Sequence, residues 1–537
     1  MSAPPFPARS PVLLVGTRVL ALLAGLAAAL AHPPWGILPG LLGLGVLFHL
    51  VDGLGARGRW RSALVLGWLA GFGYFIPSII WLSQPFQVDA EAQGWMAPFA
   101  VGLMAGFLAL FWGAAALVYR LLAGRGPLRV LLFAGALTVC EWLRGHVLTG
   151  FPWDLPGEAW RAGSAPSQAA ALVGAYGLTW LTVVAATTPF TAFQGWRGRL
   201  MALTGAALIG GLYAFGSVRL AAAQGPAPHA PWVRIVQADV RQESKYDERL
   251  FTSIVSRYVT LTARESLARP GQRPDIVIWP EGAIPAALED YLADRTWTHD
   301  AIAGALRPGQ TLVLGGYRFG TRADGAPVTY NSLVALRPDG LTLPVTAVYD
   351  KFRLVPFGEF MPFDSVATRW GVKQFVHVGD GFTPGPRPRP LRLPGLPTVQ
   401  PLICYESLFP GFTREGALAA GARAAWIANI SNDAWFGTGT GPRQHLNIAS
   451  YRAIEEGLPM IRATPTGISA IIDAYGRPVP GESLSLGAYG VIEGPLPPAL
   501  PPTPYNRLGD GPLGLMLILS LAGVGFPRRG GRPGTPA

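Results

Sequence analysis

Eight apolar stretches, each near the length a helix needs to cross a lipid bilayer, constrain this chain more than any other feature. They run at about 12–31, 35–51, 62–83, 96–119, 130–145, 171–193, 200–218 and 511–526, the second, fifth and eighth being the short ones. A helix rises about 1.5 Å per residue, so roughly 20 apolar residues cross the hydrocarbon core. Only 14% of the residues are charged and the mean hydropathy is +0.31, values of a polytopic membrane protein rather than a soluble one. Between the seventh and eighth stretches the composition is that of an ordinary soluble domain. The expected organisation is a membrane α-helical bundle of about eight spans carrying one extramembrane domain. Its boundaries fall at 1–227 for the first seven spans, 228–500 for the soluble domain and 501–537 for the closing span and tail.

Orientation follows from the arginines, because basic residues accumulate in cytoplasmic loops. Arg9 precedes the first span; Arg57, Arg59 and Arg61 separate the second and third; Arg120, Arg125 and Arg129 separate the fourth and fifth. Arg197 and Arg199 lie between the sixth and seventh, and Arg528, Arg529 and Arg532 follow the last. With eight spans, all of these share one side. The opposite loops are poor in basic residues: "AHPPW" has none, "SQPFQVDAEAQGW" carries Asp89 and Glu91, and Arg161 is a lone exception. Both termini are therefore expected in the cytoplasm and the soluble domain outside it. The net charge of +11 is spent on topology, and no nucleic-acid partner is expected. The first stretch leads directly into further spans without a small-residue cleavage site, so it reads as a span and not a signal peptide.

That placement changes the meaning of the two cysteines. Cys140 lies in the fifth apolar stretch, whereas Cys404, in "LICYESLFP", is the one thiol of the outward-facing domain. A cysteine is often just a small core residue. An unpaired one in an oxidising compartment, delivered at the end of a buried strand, reads instead as a reactive group. Lysine usage gives a second clue. Of 43 basic residues, only Lys245, Lys351 and Lys373 are lysine. Where arginine is the default, a lysine suits a task that needs a compact, tunable charge.

Within 228–500, strand-like runs alternate with helical patterns: "VRIVQADV", "DIVIWPE", "TLVLGGYRF", "NSLVALRP", "TAVYDKFRL", "TVQPLICYE", "AAWIANIS" and "ISAIIDAY". Apolar residues at three- and four-residue steps predict helices at 247–268 and 443–456. This mixture is a layered α/β domain. There is no glycine-rich dinucleotide fingerprint, phosphate loop or HExxH, and the seven histidines are scattered; neither a metal nor a cofactor is expected. Three strand ends bear chemistry. "DIVIWPEGAIP" presents Glu281, "VYDKFRLVPFGEFMP" presents Lys351 and, further on, Glu359, and "PLICYES" presents Cys404 followed by Tyr405 and Glu406. A carboxylate near a thiol can act as its base, and a nearby lysine favours the thiolate and an oxyanion. Glu281 and Lys351 alone would equally suit an ion pair.

In that order and those contexts, Glu281, Lys351 and Cys404 resemble the Glu-Lys-Cys triad of the nitrilase, or carbon–nitrogen hydrolase, superfamily. The segments "IANISNDAWFG" and "RQHLNIASYRAIEEGLPMIRATPTGISAIID" resemble its C-terminal half. The implied fold of the soluble domain is a four-layer α-β-β-α sandwich. Together with the spans, "LVPFGEFMP" and "GFPWDLPG" resemble the bacterial apolipoprotein N-acyltransferase family over nearly the whole chain. That resemblance implies an enzyme of the bacterial inner membrane with its catalytic domain in the periplasm, acting as a monomer. Its donor would be a membrane phospholipid and its acceptor a diacylated apolipoprotein. Cys404 would be the nucleophile, Glu281 the proton acceptor and Lys351 the oxyanion stabiliser, with Glu359, Tyr405 and Glu406 in support. Trp153, Tyr246 (where the family carries tryptophan) and Asn331 would contact substrate, and the aromatic loops at 84–95 and 357–375 would meet the membrane interface. The runner-up is a membrane-tethered carbon–nitrogen hydrolase of small molecules, for which one anchoring helix would suffice. A transporter would carry polar residues at mid-span. Here the ionisable exceptions are Arg18, Glu141 and Arg144, the last two spaced to pair on one helix face.

Overall fold

The computed structural model describes residues 11–54, 59–266, 268–322, 324–340, 342–362 and 381–524. Arg9, Arg57, Lys373, Arg528, Arg529, Arg532 and the 363–375 part of the aromatic loop lie outside the described residues.

All eight apolar stretches form helices: Pro11–Ala29, Leu42–Asp52, Trp60–Ser78, Ala97–Leu122, Arg129–His146, Ala170–Thr187, Gly195–Ala221 and Gly511–Ser520. Four helical segments among the described residues are long and apolar enough to cross a membrane, namely Trp60–Gln87, Ala90–Leu122, Pro166–Thr191 and Gly195–Ala221. The segments Val15–Ala29, Leu38–Asp52 and Gly511–Gly523 are apolar but shorter. Lipid tails are as apolar as leucine, so such helices associate by close backbone packing through small residues. A Cβ on Gly25 would stand 1.8 Å from the Ala70 carbonyl oxygen, and one on Gly71 would stand 2.9 Å from Ala109 Cα. No larger residue fits either position. Outward, the bundle exposes Phe99, Leu103, Phe107, Leu110, Leu200, Leu203 and Val218, an apolar surface that lipid solvates and water does not.

The expected Glu141–Arg144 pair is present and fully buried. Trp112 Nε1 donates to Glu141 Oε1 at 2.7 Å. Arg144 also donates to the carbonyls of Phe151 and Trp153. One buried cation therefore fastens the loop after helix Arg129–His146 to the bundle.

The second domain is built on two sheets. One has the order β11-β1-β2-β3-β4-β5 and the other β10-β9-β8-β7-β6. The strands are β1 (Trp232–Gln237), β2 (Ile276–Ile278), β3 (Thr311–Thr321), β4 (Pro327–Leu336), β5 (Val345–Asp350), β6 (Val399–Ile403), β7 (Trp426–Ile430), β8 (Met460–Ala463), β9 (Ser469–Ile472), β10 (Pro478–Leu484) and β11 (Gly490–Pro495). Side chains alternate across a strand, and here both faces are covered. Val233, Ile235, Ile276 and Ile278 of the first sheet meet Trp426, Ala428, Ile430 and Ile461 of the second in a core between the sheets. Val236, Val277 and Leu312 point the other way, onto helix Phe251–Ala263 and its neighbours. Leu402, Ile427 and Ile472 pack on helix Gly441–Glu456 and, beyond it, the membrane helices. The layers are α-β-β-α, as expected, with one helical layer wedged against the bundle.

Every predicted strand is present, but β8, β10 and β11 were not among them. β8 is four residues long and carries a buried arginine, Arg462. β10 is an edge strand whose Pro480, Gly481 and Ser483 are exposed. β11 contains two glycines and Glu493, whose carboxylate takes a hydrogen bond from Arg234 of β1 at 2.7 Å. The helix predicted at 247–268 is shorter, Phe251–Ala263, and is preceded by a turn in which the Asp247 side chain accepts from Arg249 N.

Helix Gly441–Glu456 joins the domains. Arg452 pairs with Glu158 at 3.3 Å and with Glu455 at 2.8 Å, and Glu455 Oε1 accepts from Ala175 N of a membrane helix at 2.8 Å. A buried charge left without its partner costs about 3–5 kcal/mol, so these groups hold the two domains to one mutual arrangement.

Candidate active site

Three strands end at one place. Glu281 follows β2 after Trp279 and Pro280, and Pro280 has no N–H with which to continue the ladder. Lys351 is the first residue after β5, and Cys404 the first after β6. Cys404 has φ +47°, the left-handed region that costs an L-residue roughly 1–2 kcal/mol. The conformation is held by the short helical turn Cys404–Leu408 and by one carboxylate within it. Glu406 Oε2 accepts from Ile403 N at 2.8 Å, while Glu406 Oε1 accepts from Tyr349 OH and Phe352 N, each at 2.8 Å. Glu406 thus ties the lysine strand to the cysteine turn. Burial pushes its carboxyl up to about 7, against the pull of those hydrogen bonds.

Lys351 Nζ lies 2.8 Å from Glu359 Oε1 and 3.3 Å from Glu281 Oε1. Asn331 Nδ2 donates to the same two oxygens at 2.8 and 2.7 Å. The second oxygen of Glu281 accepts from Asn432 N at 2.7 Å, and that of Glu359 from Val355 N at 2.8 Å. Burial works against the ammonium of Lys351, but Glu281, Glu359 and the nearby sulfur hold its pKa above the ordinary lysine value. Burial pushes the Cys404 thiol well above its ordinary value, Glu281 adds to that rise, and Lys351 opposes it. The sulfur therefore rests as a thiol. A base must take its proton as it attacks.

The structure brings Glu281, Lys351, Cys404, Glu359, Glu406 and Asn331 together. Asn331 faces the two carboxylates, where it serves to position them. Tyr405 points away and donates to the Gly150 carbonyl in the loop that Arg144 holds. Trp153 is buried, donates to Gln444 at 3.2 Å, and packs against Trp81, Phe436 and His445 with ring centroids 4.6–5.7 Å apart. It is a strut between the domains rather than part of the triad's immediate surroundings. Tyr246 stands at the surface, 65% exposed.

Sequence reasoning missed the layer beneath the cysteine. Ser407 Oγ donates to the Cys404 carbonyl at 2.8 Å and lies 3.0 Å from His445 Nε2. His445 Nδ1 lies 3.0 Å from Asp433 Oδ1, which also takes the Ser431 hydroxyl at 2.7 Å, and Arg462 pairs with Asp433 at 2.7 Å. Burial alone would raise Asp433, but Arg462 and His445 hold it far below the usual carboxylate range. The signal was Asn429 and Arg462 inside otherwise apolar strands, with Asp433 in the turn after β7 and His445 in a helix whose many polar residues are buried.

A carboxylate, a lysine and a cysteine at strand ends of a four-layer sandwich define a carbon–nitrogen hydrolase-type domain, and the sequence model of the carbon-nitrogen hydrolase family matches residues 233–496. The model of the apolipoprotein N-acyltransferase N-terminal domain matches residues 24–188. An apolipoprotein N-acyltransferase from Caulobacter vibrioides is 54% identical over 94% of this chain and 93% of its own length. One from Bradyrhizobium diazoefficiens is 38% identical, again over 94% of this chain and 93% of its own. The chain belongs to the apolipoprotein N-acyltransferase family. An amidase from Nesterenkonia sp. of known structure is 18% identical over 54% of this chain and 97% of its own, with a TM-score of 0.35, too slight a likeness to add weight.

Proposed function

We propose that the chain transfers a fatty acyl group from a membrane phospholipid, by way of a thioester on Cys404, to the N-terminal amine of the diacylglyceryl-cysteine of apolipoproteins. In the first half-reaction Glu281 takes the thiol proton as sulfur attacks an ester carbonyl. Lys351 stabilises the oxyanion. The C–O bond then breaks, the departing lysophospholipid oxygen takes the proton from Glu281, and the acyl group stays on sulfur. In the second, the acceptor amine attacks the thioester and loses a proton to Glu281. The C–S bond breaks, the sulfur regains a proton, and an amide is left.

The observation that carries this reading is the join between the two domains. Tyr405, the neighbour of the nucleophile, is bonded to a loop that a buried arginine of the membrane bundle holds in place. Such a site is built to take its substrates from the bilayer. A small-molecule hydrolase would gain nothing from this connection. Glu359 and Glu406 support the lysine and the cysteine turn, and Tyr246 at the surface is placed for a lipid contact. The proposed topology is eight spans in the bacterial inner membrane, with a domain at 228–500 in the periplasm and both termini cytoplasmic. The enzyme works as a monomer.

Two measurements test these statements. Wild-type enzyme given phospholipid without acceptor should release about one lysophospholipid per enzyme, keep the acyl group, and pass it on when a diacylated peptide with a free amine is added. Steady release of free fatty acid without peptide would mean that water is the acceptor and that the enzyme is a hydrolase. For topology, single cysteines at 57–61 and 197–199 should label from the cytoplasm and those at 321–327 from outside. Cytoplasmic labelling of 321–327 would reverse the orientation.

A further inference from the structure

Lys245 is a lysine in an arginine-rich chain, and neither half-reaction uses it. It lies in the short turn Glu243–Tyr246 that follows β1. The neighbouring Tyr246 faces out, while Lys245 Nζ is buried and has no hydrogen-bond partner. The ammonium lies beside the proposed base. A Cβ added to Gly282 would stand 3.5 Å from Nζ, and Gly282, at φ +56°, is the residue immediately after Glu281. Burial pulls the lysine's pKa down to about 8, with Glu281 partly offsetting the fall. A buried cation without a partner is costly to keep. In a site that binds ligands, it marks a position where the ligand supplies the missing anion.

The local charge balance indicates which ligand. Two carboxylates, Glu281 and Glu359, face the single ammonium of Lys351. An acyl donor bearing a phosphodiester would enter a site that already carries excess negative charge. Lys245 supplies the compensating positive charge. In a glycerophospholipid only the glycerol backbone separates the phosphodiester from the acyl esters, so a cation flanking the base is within reach of it. Among the described residues, Arg353 and Arg452 near the cysteine turn already have partners: Arg353 lies 4.1 Å over the Phe409 ring and donates to Thr149 O at 3.5 Å, and Arg452 donates to Leu408 O at 2.7 Å and pairs with Glu158 and Glu455.

We propose that Lys245 binds the phosphodiester of the acyl donor and so selects a phospholipid over an uncharged acyl ester. The proposal rests on Cys404 being the acylated residue. The test uses the full-length enzyme and follows the Cys404 adduct by intact mass, with vesicles of dioleoylphosphatidylethanolamine and phosphatidylglycerol as one donor and p-nitrophenyl palmitate as the other. In Lys245→Met, the kcat/KM for phospholipid relative to that for the p-nitrophenyl ester should fall about 10- to 100-fold, mainly through KM, as expected for losing a hydrogen bond to a charged group. Lys245→Arg should recover part of the ratio. Thermal unfolding should show the Met variant as stable as wild type, since the fold loses only an unsatisfied charge. An equal fall with both donors would mean that Lys245 acts through Glu281, and an unchanged ratio would mean that it binds no phosphodiester. Either result overturns the proposal while leaving Cys404 in place. Wild type that forms no adduct with either donor would overturn both readings.

Discussion

Cys404→Ala is expected to give a folded protein that forms no acyl-enzyme, with activity reduced roughly 10⁴-fold or more, the scale on which a lost nucleophile acts. Folding should survive because the substitution removes one atom from a small side chain. Alanine meets the same penalty as cysteine at φ +47°, and the turn's hydrogen bonds come from Glu406 and Ser407 rather than from the thiol. Cys404→Ser keeps the shape and fails for a different reason. The site already holds the proton tightly on sulfur, since burial and Glu281 push the thiol up, and a hydroxyl is harder still to deprotonate. The serine variant should therefore acylate very slowly if at all, and any ester it forms should turn over more sluggishly than a thioester. Intact mass after incubation with phospholipid checks both variants. An acyl adduct on the alanine variant would place the nucleophile elsewhere.

The parts of this site that could be read from the sequence share a physical character. Buried strands of a layered α/β domain are continuous apolar runs, so a charged or reactive residue at the end of one stands out. Glu281, Lys351 and Cys404 all do. The supporting shell was harder to read because its members interrupt those patterns. Arg462 sits within β8, Asp433 opens a turn and His445 lies within a helix. Their partners are distant in sequence, and nothing in local periodicity tells a buried, bonded polar residue from an exposed one. Trp153, expected to contact substrate, is buried between the domains, an environment that its own stretch of sequence does not reveal. The edge strands β10 and β11 escaped notice because one outer face is solvated and glycines break the run. The apolar helices were legible in place, since hydropathy marks them, and four of the described helical segments have the length and composition to cross a membrane. Their internal polar links, such as Glu141 to Trp112, were legible only in part.

Lys351→Arg should slow thioester formation by about 10² to 10³-fold although the charge is kept, the cost typical of losing one oxyanion donor. Lys351 is 1% exposed, and its ammonium fits between Glu359 and Glu281 at 2.8 and 3.3 Å while Asn331 donates to the same two oxygens. A guanidinium is broader and carries five donors in a fixed plane. To enter this space it must displace Asn331 or turn one carboxylate, and either movement shifts Glu281 from the thiol it is to deprotonate. Lys351→Met separates charge from shape. With the cation gone, two buried carboxylates face each other, and one of them takes up a proton rather than remain charged. If that carboxylate is Glu281 the base is lost, and the variant should also unfold at a lower temperature, since breaking a buried pair costs about 3–5 kcal/mol. The Arg variant should keep most of that stability and still fail in the acylation step. Rapid-quench measurement of the Cys404 adduct, with a thermal melt of each variant, separates the two effects. Near-normal acylation by Lys351→Arg would reduce Lys351 to the structural partner of Glu359 and leave the oxyanion to backbone N–H groups.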